Sequence, residues 1–544
     1  MTEGTAPRVA AAVVRRAIRP LPGRHHQLDG ATPSHVHERR WWILAVLCLS
    51  LLLIVAGNSS LNVALPDIQK ALDSSPSQLQ WMVDIYSMVF AVLLLPAGAL
   101  ADRFGRKTAL QIGLAVFAGA SLAATFATDT WQLIVLRGIT GIGAAFIMPG
   151  TLSILMNTFG DLRERQKAIA IWAGCAGLGG ALGPVLTGLI LTRFAWGATF
   201  FISVVIAVVA LVAGASLLPN SSDPHDAVLD PVGVVLAVLA IGSLLYGIIE
   251  GPDMGWTSAT TIVVIASGLV LLVGFVAWEL HSPHPMLDVH LFRVRAFSVG
   301  STTITLQYFA MYGLYFAVAQ YLQISHGYSP LQAALAALPI GVLGMIGSPT
   351  SAVLVRRYGH RRVVGSGLML SALGLFIMGW VTPTTSYAVL FVGFVLMGFG
   401  NGQTTAPSTT LIMSSVPRAK SGVGSAVNDL SRELGGALGV AVLGSVMSTV
   451  YRANVAANAG SAAASSGSTV ETTLRAAAAA GMDTPAGQAL HHAAQVSFAE
   501  GFGVAMILGA CVLVANSILV WARAISVNPH AATAPSRPSV AAGD

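Results

Sequence analysis

Charged residues are scarce in this chain. Only 10% of its 544 residues are Asp, Glu, Lys or Arg, whereas 54% are hydrophobic and the mean hydropathy is +0.73. A soluble chain carries about 25% charged residues. The deficit therefore predicts an integral membrane protein that lies in the lipid bilayer.

Cysteine is also rare. The three cysteines, Cys48, Cys175 and Cys511, are scattered through apolar runs, a pattern that gives neither a disulfide framework nor a metal-ligand spacing. The sequence also lacks metal-binding spacings of His, Asp and Glu, and it lacks a Gly-x4-Gly-Lys-Ser/Thr phosphate loop. We therefore expect no catalytic residues, no metal and no cofactor. This disfavours an enzyme, a sensor and an ATP-driven pump. We also expect no nucleic-acid partner.

Long apolar runs are abundant by contrast. A membrane-spanning helix needs about 20 mostly apolar residues, and fourteen such runs occur. They lie near residues 41–65, 79–101, 107–127, 131–156, 167–191, 197–218, 231–250, 259–280, 297–324, 331–354, 362–381, 386–413, 421–450 and 498–522. We therefore predict an all-α membrane protein with fourteen transmembrane helices.

Basic residues are unevenly distributed between the connections. The N-terminal tail, the connections after even-numbered helices and the C-terminal tail hold 23 of the 29 Lys and Arg residues. Because basic residues concentrate in cytoplasmic segments, we expect both termini in the cytoplasm and the protein in the plasma membrane. The excess of Arg over Lys and the abundance of Ala and Gly indicate a bacterial source.

The chain contains an internal repeat. GALADRFGRKTAL (98–110) recurs in degenerate form as AVLVRRYGHRRVV (352–364), 254 residues later. Two parallel six-helix copies are typical of transporters, with the substrate site between the halves. We thus predict a 6+2+6 arrangement in which helices 7 and 8 are inserted. The expected segments are a disordered cytoplasmic tail (1–40), a first bundle (41–218), a connector with the two inserted helices and an interfacial segment (219–296), a second bundle with an external loop at 451–496 (297–523) and a second disordered cytoplasmic tail (524–544).

Three motifs resemble signatures of the major facilitator superfamily. They are the loop 98–110, LIVLRGITGIGAA (133–145) in helix 4 and GGALGPVLTG (179–188) in helix 5. NVALP (62–66), WMVDIYS (81–87) and the count of fourteen helices are similar to the drug:proton antiporter branch. The resemblance implies a monomeric secondary transporter that exports small-molecule drugs or toxic organic compounds in exchange for protons by alternating access.

The loop and helix 5 motifs have conformational roles in this family. The resemblance implies a charge latch formed by Gly98, Asp102, Arg103, Gly105, Arg106 and Lys107, although basic residues in such a loop also simply fix its side of the membrane. In helix 5 the family pattern implies a hinge or seal formed by Gly179, Gly183, Pro184 and Gly188. The alternative is generic packing, because glycines spaced by four let helices approach closely.

Three charges interrupt the apolar run of helix 13. In NDLSREL (428–434), Asp429 and Glu433 share a helix face, and Arg432 can reach Asp429 at a spacing of three. Intramembrane charges are costly and tend to face a cavity. Two nearby carboxylates can hold a proton or an organic cation. We therefore predict that Asp429 and Glu433 couple proton binding to cation transport. The alternative is an Asp–Arg pair that only fixes helix 13.

Two further charged residues are candidates for proton coupling. Asp84 lies toward the outer end of helix 2, where it either attracts cations or lies in interfacial water. Arg137 lies near the outer end of helix 4, and the family resemblance suggests a role in proton relay. The alternative for Arg137 is a side chain that snorkels to the outer interface.

Candidate substrate-binding residues lie on helices 1 and 9. Tyr308, Tyr312 and Tyr315 form a stripe that, together with Gln307, would suit a flat cation, although such stripes are more often packing. Many family members carry an acidic residue before Asn-Val-Ala-Leu-Pro in helix 1. Here AGNSSLNVALP (56–66) offers Asn58 and Asn62 instead, which do not titrate. A competing prediction is therefore an exporter or facilitator of a specific metabolite, lipid or self-made antibiotic with different coupling.

Overall fold

The structure is a computed structural model that describes residues 34–523 apart from 160, 220–229, 284, 286, 417–420 and 461–468. Within these residues all regular secondary structure is helical. Fourteen long helices follow one another in this described part: α1 (Ser34–Leu72), α2 (Pro76–Phe104), α3 (Arg106–Thr125), α4 (Thr130–Thr158), α5 (Leu162–Leu191), α6 (Ala198–Leu217), α7 (Pro231–Ile249), α8 (Ala259–His281), α9 (Arg295–Ile324), α10 (Pro330–Tyr358), α11 (His360–Met378), α12 (Tyr387–Ser414), α13 (Ser421–Ala459) and α14 (Pro485–Ala522). Short helices at Gly251–Met254, Val289–Arg293 and Val470–Ala480 lie between them.

Most of these helices have the length and composition of membrane spans. Among the described residues, twelve helices are long and apolar enough to cross a membrane. The other two are α5, which has a shorter apolar stretch at Leu178–Leu191, and α9. Large apolar side chains cover the outer surface; Val270 and Val273 on α8 are 71% and 70% exposed. Such a surface suits lipid hydrocarbon rather than water.

Helices α2 and α10 are built alike. Each has 29 residues, and each starts after a serine N-cap, Ser75 or Ser329, in a capping box with the glutamine three residues later. Each also ends at a glycine with positive φ, Gly105 at 108° and Gly359 at 80°. Glycine adopts such angles without the steric cost of a side chain. All of these features recur at the 254-residue offset of the loop motif.

The helix contacts also recur, with an offset of eight helices. Among the first six helices, α1 packs on α5 and α6, α3 packs on α4 and α6, and α2 packs on α4. Among the last six, the corresponding pairs are α9 with α13 and α14, α11 with α12 and α14, and α10 with α12. The main contacts between the two groups obey the same relation, since α2 packs on α13 and α5 packs on α10. Helices α7 and α8 pack on each other, and α7 also contacts α2 and α13.

Apolar clusters fill each six-helix group, and a further cluster joins the groups. The joining cluster brings Leu65 and Met82 of the first group together with Phe316, Val440 and Ala441 of the second. It lies toward the end of the bundle where α1 ends and α2 begins, which we call the Asp73 end. The opposite end, where α2 meets α3, is called the Gly105 end.

Polar contacts between the two groups also lie toward the Asp73 end. The Gln323 side chain of α9 donates to the Val63 carbonyl of α1 over 3.0 Å. Arg475 of the short helix Val470–Ala480 pairs with Asp73 at 2.9 Å. The two six-helix groups are therefore held together at this end.

Some element boundaries differ from those predicted. α1 begins at Ser34, so residues 34–40, predicted to belong to a disordered tail, are helical, and Arg40 pairs with Glu164 of α5 at 2.9 Å. Much of the predicted external loop 451–496 is helical as well, because its alanines favour helix. The predicted tail residues 1–33 and 524–544 and the connector residues 220–229 lie outside the described part.

Candidate functional site

Arg137 of α4 is almost completely buried, with 2% of its surface exposed. Its Nε donates to the Met82 carbonyl of α2 over 3.0 Å. Its Nη1 and Nη2 donate to the Gly57 carbonyl and to Asn58 Oδ1 of α1 over 3.5 and 3.4 Å. The guanidinium also lies over the Tyr86 ring at 4.5 Å, a cation–π contact. Arg137 therefore connects three helices in the interior and does not snorkel to an interface.

Glu433 of α13 lies at the junction of the two six-helix groups. Its residue surface is 9% exposed. The carboxyl meets the Ser87 hydroxyl of α2 and lies within electrostatic reach of Tyr86 of α2 and Tyr312 of α9. Among the described residues, its Oε2 has no hydrogen-bond partner. This oxygen is thus available for a proton or for a ligand.

Asp429 and Arg432 form the pair that their spacing predicts. Arg432 Nη1 lies 4.0 Å from Asp429 Oδ1, and Asn428 donates a hydrogen bond of 3.4 Å to the same oxygen. The Arg432 guanidinium also lies 5.4 Å from the Tyr308 ring centroid. The ion pair is long and both side chains are partly exposed. Asp429 is therefore not sealed inside a rigid pair.

The tyrosines of α9 face this cluster. Tyr308, Tyr312 and Tyr315 are each partly exposed, and the rings of Tyr308 and Tyr312 meet edge to face at 5.6 Å. Gln307 does not join them, because it is completely buried and donates to Ser371 of α11 over 3.3 Å. Consecutive helix residues are turned by about 100°, which directs Gln307 into the second six-helix group.

Asp84 of α2 is completely buried, contrary to the interfacial position considered from the sequence. Among the described residues, neither of its carboxylate oxygens has a hydrogen-bond partner. Asp84 shares a helix face with Gln80, which accepts from Ser445 of α13 over 3.2 Å, and with Ser87. It therefore lies along the α2–α13 junction. Asn62 Oδ1 of α1 is likewise buried and without a partner in the described structure.

The loop motif forms the turn between α2 and α3. Gly105 ends α2 and starts α3 with a φ of 108°. Gly98 is not a place of very close approach, because a Cβ there would lie an ordinary 3.6 Å from Pro149 Cβ. The side chain of Asp102 lies outside the described part of the structure.

The basic residues of this motif lie at the Gly105 end. Lys107 Nζ donates to the Ala215 carbonyl near the end of α6 over 2.7 Å, within the first six-helix group. Arg103 is exposed and lies over the neighbouring Phe104 ring. Arg106 is the first residue of α3 and is partly exposed. A latch between the two groups remains a prediction.

Glycines of α5 allow close contacts with both groups. A Cβ at Gly179 would lie 3.2 Å from a carbonyl oxygen of α1, and one at Gly183 would lie 2.7 Å from a serine hydroxyl of α1. A Cβ at Gly188 would lie 2.6 Å from the Leu331 Cα of α10. Pro184 lies within the helix, which continues to Leu191. The glycine positions thus mark the α5 contacts with α1 and α10.

A second copy of the helix 5 motif was not predicted from the sequence. LGGALG occurs at 178–183 in α5 and again at 434–439 in α13, directly after Glu433. Its offset is 256 residues rather than the 254 of the loop motif, so a search at one fixed offset misses it. The structure brings out the copy because the α9–α13 contact corresponds to the α1–α5 contact.

Comparisons with known proteins agree with this architecture. Residues 47–440 match the model of the Major Facilitator Superfamily. The "Multidrug efflux pump LfrA" of Mycolicibacterium smegmatis is 36% identical over 493 residues, 90% of this chain and 97% of the relative. The "Methyl viologen resistance protein SmvA" of Salmonella typhimurium is 31% identical over 89% of this chain and 98% of the relative. The "Tetracenomycin C resistance and export protein" of Streptomyces glaucescens is 30% identical over 76% of each chain.

Solved structures share the fold. A bacterial homologue of the human lysosomal transporter Spinster, in an inward-facing and unoccupied conformation, superposes with a TM-score of 0.64 and 18% sequence identity. The match covers 90% of this chain and 97% of that chain. With the family model spanning most of the sequence and the fold shared with a transporter, the chain belongs to the major facilitator superfamily and is a multi-pass membrane transporter of small molecules.

Proposed function

We propose that the protein exports amphipathic drugs or toxic organic compounds from a bacterial cell in exchange for protons, by alternating access. The observation that carries this proposal is the position of Glu433. It is a buried carboxyl whose Oε2 has no hydrogen-bond partner among the described residues, and it lies where the two six-helix groups meet. The names of the relatives, among them a multidrug efflux pump and a methyl viologen resistance protein, support the substrate class.

The proposed membrane arrangement has fourteen spans as 6+2+6, with α5 and α9 crossing in addition to the twelve apolar helices. The recurrence of helix contacts at an offset of eight supports it. In this arrangement the Gly105 end and both termini face the cytoplasm, and the Asp73 end faces outward. The protein works as a monomer, since each chain contains both halves of the junction.

Coupling follows from competition at the junction. An organic cation that enters from the Gly105 end meets the rings of Tyr308 and Tyr312 and the carboxylates of Asp429 and Glu433. A proton on Glu433 removes the charge that attracts the cation, so binding of one disfavours the other. Asp84 lies on the α2–α13 junction between Glu433 and the Asp73 end, where it passes protons inward from outside.

Two motifs control the conformational change in this proposal. The loop of Gly98, Asp102, Arg103, Gly105, Arg106 and Lys107 holds the Gly105 end in one state. The α5 residues Gly179, Gly183, Pro184 and Gly188 let α5 move against α1 and α10 without opening a leak. The close contacts at Gly183 and Gly188 support this role.

A second candidate is an exporter or facilitator of one specific compound with different coupling. It is favoured by helix 1, where the acidic residue of the family is replaced and Asn58 is engaged by Arg137. A relative named for resistance to and export of tetracenomycin C fits this candidate.

Transport in proteoliposomes distinguishes the two candidates. Ethidium movement is followed under an imposed pH gradient for the parent protein, for Asp429→Asn and Glu433→Gln, and for Glu500→Gln as a control. Glu500 lies on α14, is exposed and bonds to Asn454 and Asn458. We expect gradient-driven transport that is lost in Glu433→Gln and kept in the control. Movement that ignores the gradient contradicts antiport, and movement of only a narrow set of compounds favours the second candidate.

A further inference from the structure

The two LGGALG copies differ in the space around their middle glycine. In α5 a Cβ at Gly180 would lie 3.8 Å from Val55 Cγ1, which is ordinary van der Waals contact. In α13 a Cβ at Gly436 would lie 2.1 Å from Cδ2 and 2.6 Å from Cε2 of the Tyr312 ring. The same hexapeptide therefore leaves room for a methyl group in one half, whereas an aromatic ring occupies that room in the other.

The flanking glycines bring α13 unusually close to α9. A Cβ at Gly435 would lie 2.2 Å from the Thr305 carbonyl oxygen, and one at Gly439 would lie 2.1 Å from the Phe309 carbonyl oxygen. Backbone atoms cannot move aside as a flexible side chain can. The two helices are thus in backbone contact, and atoms of the Tyr312 ring lie over Gly436, which comes between Gly435 and Gly439 along α13.

We infer that Gly436 is a positioning residue of the substrate site, which seats the Tyr312 ring against α13 beside Glu433. Gly436 follows Glu433 by three residues and so lies on the same helix face. Tyr312 and Glu433 lie near each other across the α9–α13 contact. This inference rests on the proposed function, because it takes Tyr312 and Glu433 as groups that contact the substrate.

The seat has a consequence for substrate choice. With the Tyr312 ring held against α13, it meets the Tyr308 ring edge to face, and both residues are partly exposed. A planar aromatic cation can then place its ring on Tyr312 and its charge near Glu433. A side chain at position 436 displaces the tyrosine ring into the space that such a substrate occupies.

Four variants of the purified protein test whether Gly436 positions the Tyr312 ring. They are Gly436→Ala, Tyr312→Ala, the double variant and Gly180→Ala as the matched control. Ethidium affinity is measured by fluorescence anisotropy. We expect Gly436→Ala to weaken binding about tenfold, equivalent to about 1.4 kcal/mol, and Gly180→Ala to leave it within about twofold. The double variant is expected to bind no more weakly than Tyr312→Ala alone, since the clash disappears with the ring. Additive losses, or equal effects at positions 436 and 180, overturn the inference.

A second readout needs neither ligand nor proton gradient. The apparent Tm of the same variants is expected to fall in Gly436→Ala and to recover in the double variant, while Gly180→Ala stays near the parent. If the parent protein fails to bind ethidium but the Tm pattern holds, the proposed substrate class is wrong and the seating of Tyr312 stands. If Tyr312→Ala does not relieve the destabilisation, Gly436 does not seat the ring and the inference is overturned.

Discussion

The guanidinium of Arg137 lies 4.5 Å from the ring centroid of Tyr86, and the same tyrosine is within electrostatic reach of Glu433. Tyr86 thus packs on a buried cation of the first six-helix group and lies near a buried carboxyl of the second. We expect a change in the charge of Glu433 to alter the field at Tyr86, which packs on Arg137. This relationship gives the proposed proton coupling a physical connection to the helices that must move.

Arg137 is expected to be intolerant of replacement, including by lysine. Lys keeps the positive charge but lacks the planar fork that reaches three helices and stacks on a ring. Hydrogen bonds to charged groups contribute about 1.5–3 kcal/mol, so Arg137→Lys should lower the initial rate of ethidium transport by roughly tenfold or more. Arg193→Lys, at an exposed position after α5, is the control. Near-parental rates in Arg137→Lys would show that charge alone suffices.

Asp84→Asn is expected to reduce transport without reducing the stability of the protein. A buried carboxylate without a partner is costly, so the amide should leave the apparent Tm unchanged or raise it. The proposal that Asp84 passes protons predicts that gradient-driven transport falls at least several-fold in the same variant. Both quantities are measured on one preparation. A large drop in Tm with intact transport would instead make Asp84 a structural residue.

Substitution of Gly188 or Gly183 by alanine is expected to destabilise the protein, because the added methyl group has no room. At Gly188 the methyl would meet the backbone of α10, and overpacking of this kind costs about 1–3 kcal/mol. We expect Gly188→Ala and Gly183→Ala to lower the apparent Tm and to increase the passive proton leak of proteoliposomes, detected with an internal pH dye. Gly119→Ala is the control, because a Cβ there meets nothing within 4 Å. A leak equal to that of Gly119→Ala would argue against a sealing role.

Glu250 gives a pH dependence of stability at the Asp73 end. It follows the last residue of α7, and Trp81 Nε1 donates to its Oε1 over 3.0 Å. Burial raises the pKa of the Glu250 carboxyl above its usual value of 4.5, although the Trp81 hydrogen bond opposes this. The folded protein therefore holds the Glu250 proton more tightly than the unfolded chain does. The stability that this bound proton contributes is lost as pH rises above about 4.5.

Two substitutions test that contribution through the apparent Tm as a function of pH. Glu250→Gln should match the parent near pH 4 and exceed it at neutral pH. Trp81→Phe removes the opposing hydrogen bond and should steepen the loss of stability with rising pH. A Glu250→Gln curve parallel to the parent curve at all pH values would contradict the burial of an ionising group there.

The sequence predicted the elements that local chemistry determines. The apolar helices and the Asp429–Arg432 pair follow from residues that are neighbours along the chain. Contacts between distant helices were not predictable in this way. Spacing alone did not show that Asp84 is buried, that Gln307 points away from the tyrosines, or that Tyr86 lies near both Arg137 and Glu433. These depend on how α2, α9 and α13 are rotated when they pack.

The LGGALG copy in α13 shows a second limit of prediction from sequence. The sequence shows LGGALG at both places, but it does not show how much space surrounds the middle glycine of each copy. Gly180 and Gly436 have the same neighbours along the chain, and only the opposite helix, with Val55 in one case and Tyr312 in the other, makes them different.

The central claim is that a proton and an organic cation compete at Glu433. The most direct measurement is proton release from purified protein in weakly buffered detergent when ethidium is added, followed with a pH dye. Glu433→Gln and Glu500→Gln serve as the test and control variants. We predict that the parent and the control release protons on binding, whereas Glu433→Gln binds the cation and releases clearly fewer. Equal release from Glu433→Gln would contradict the claim and transfer the coupling to another group.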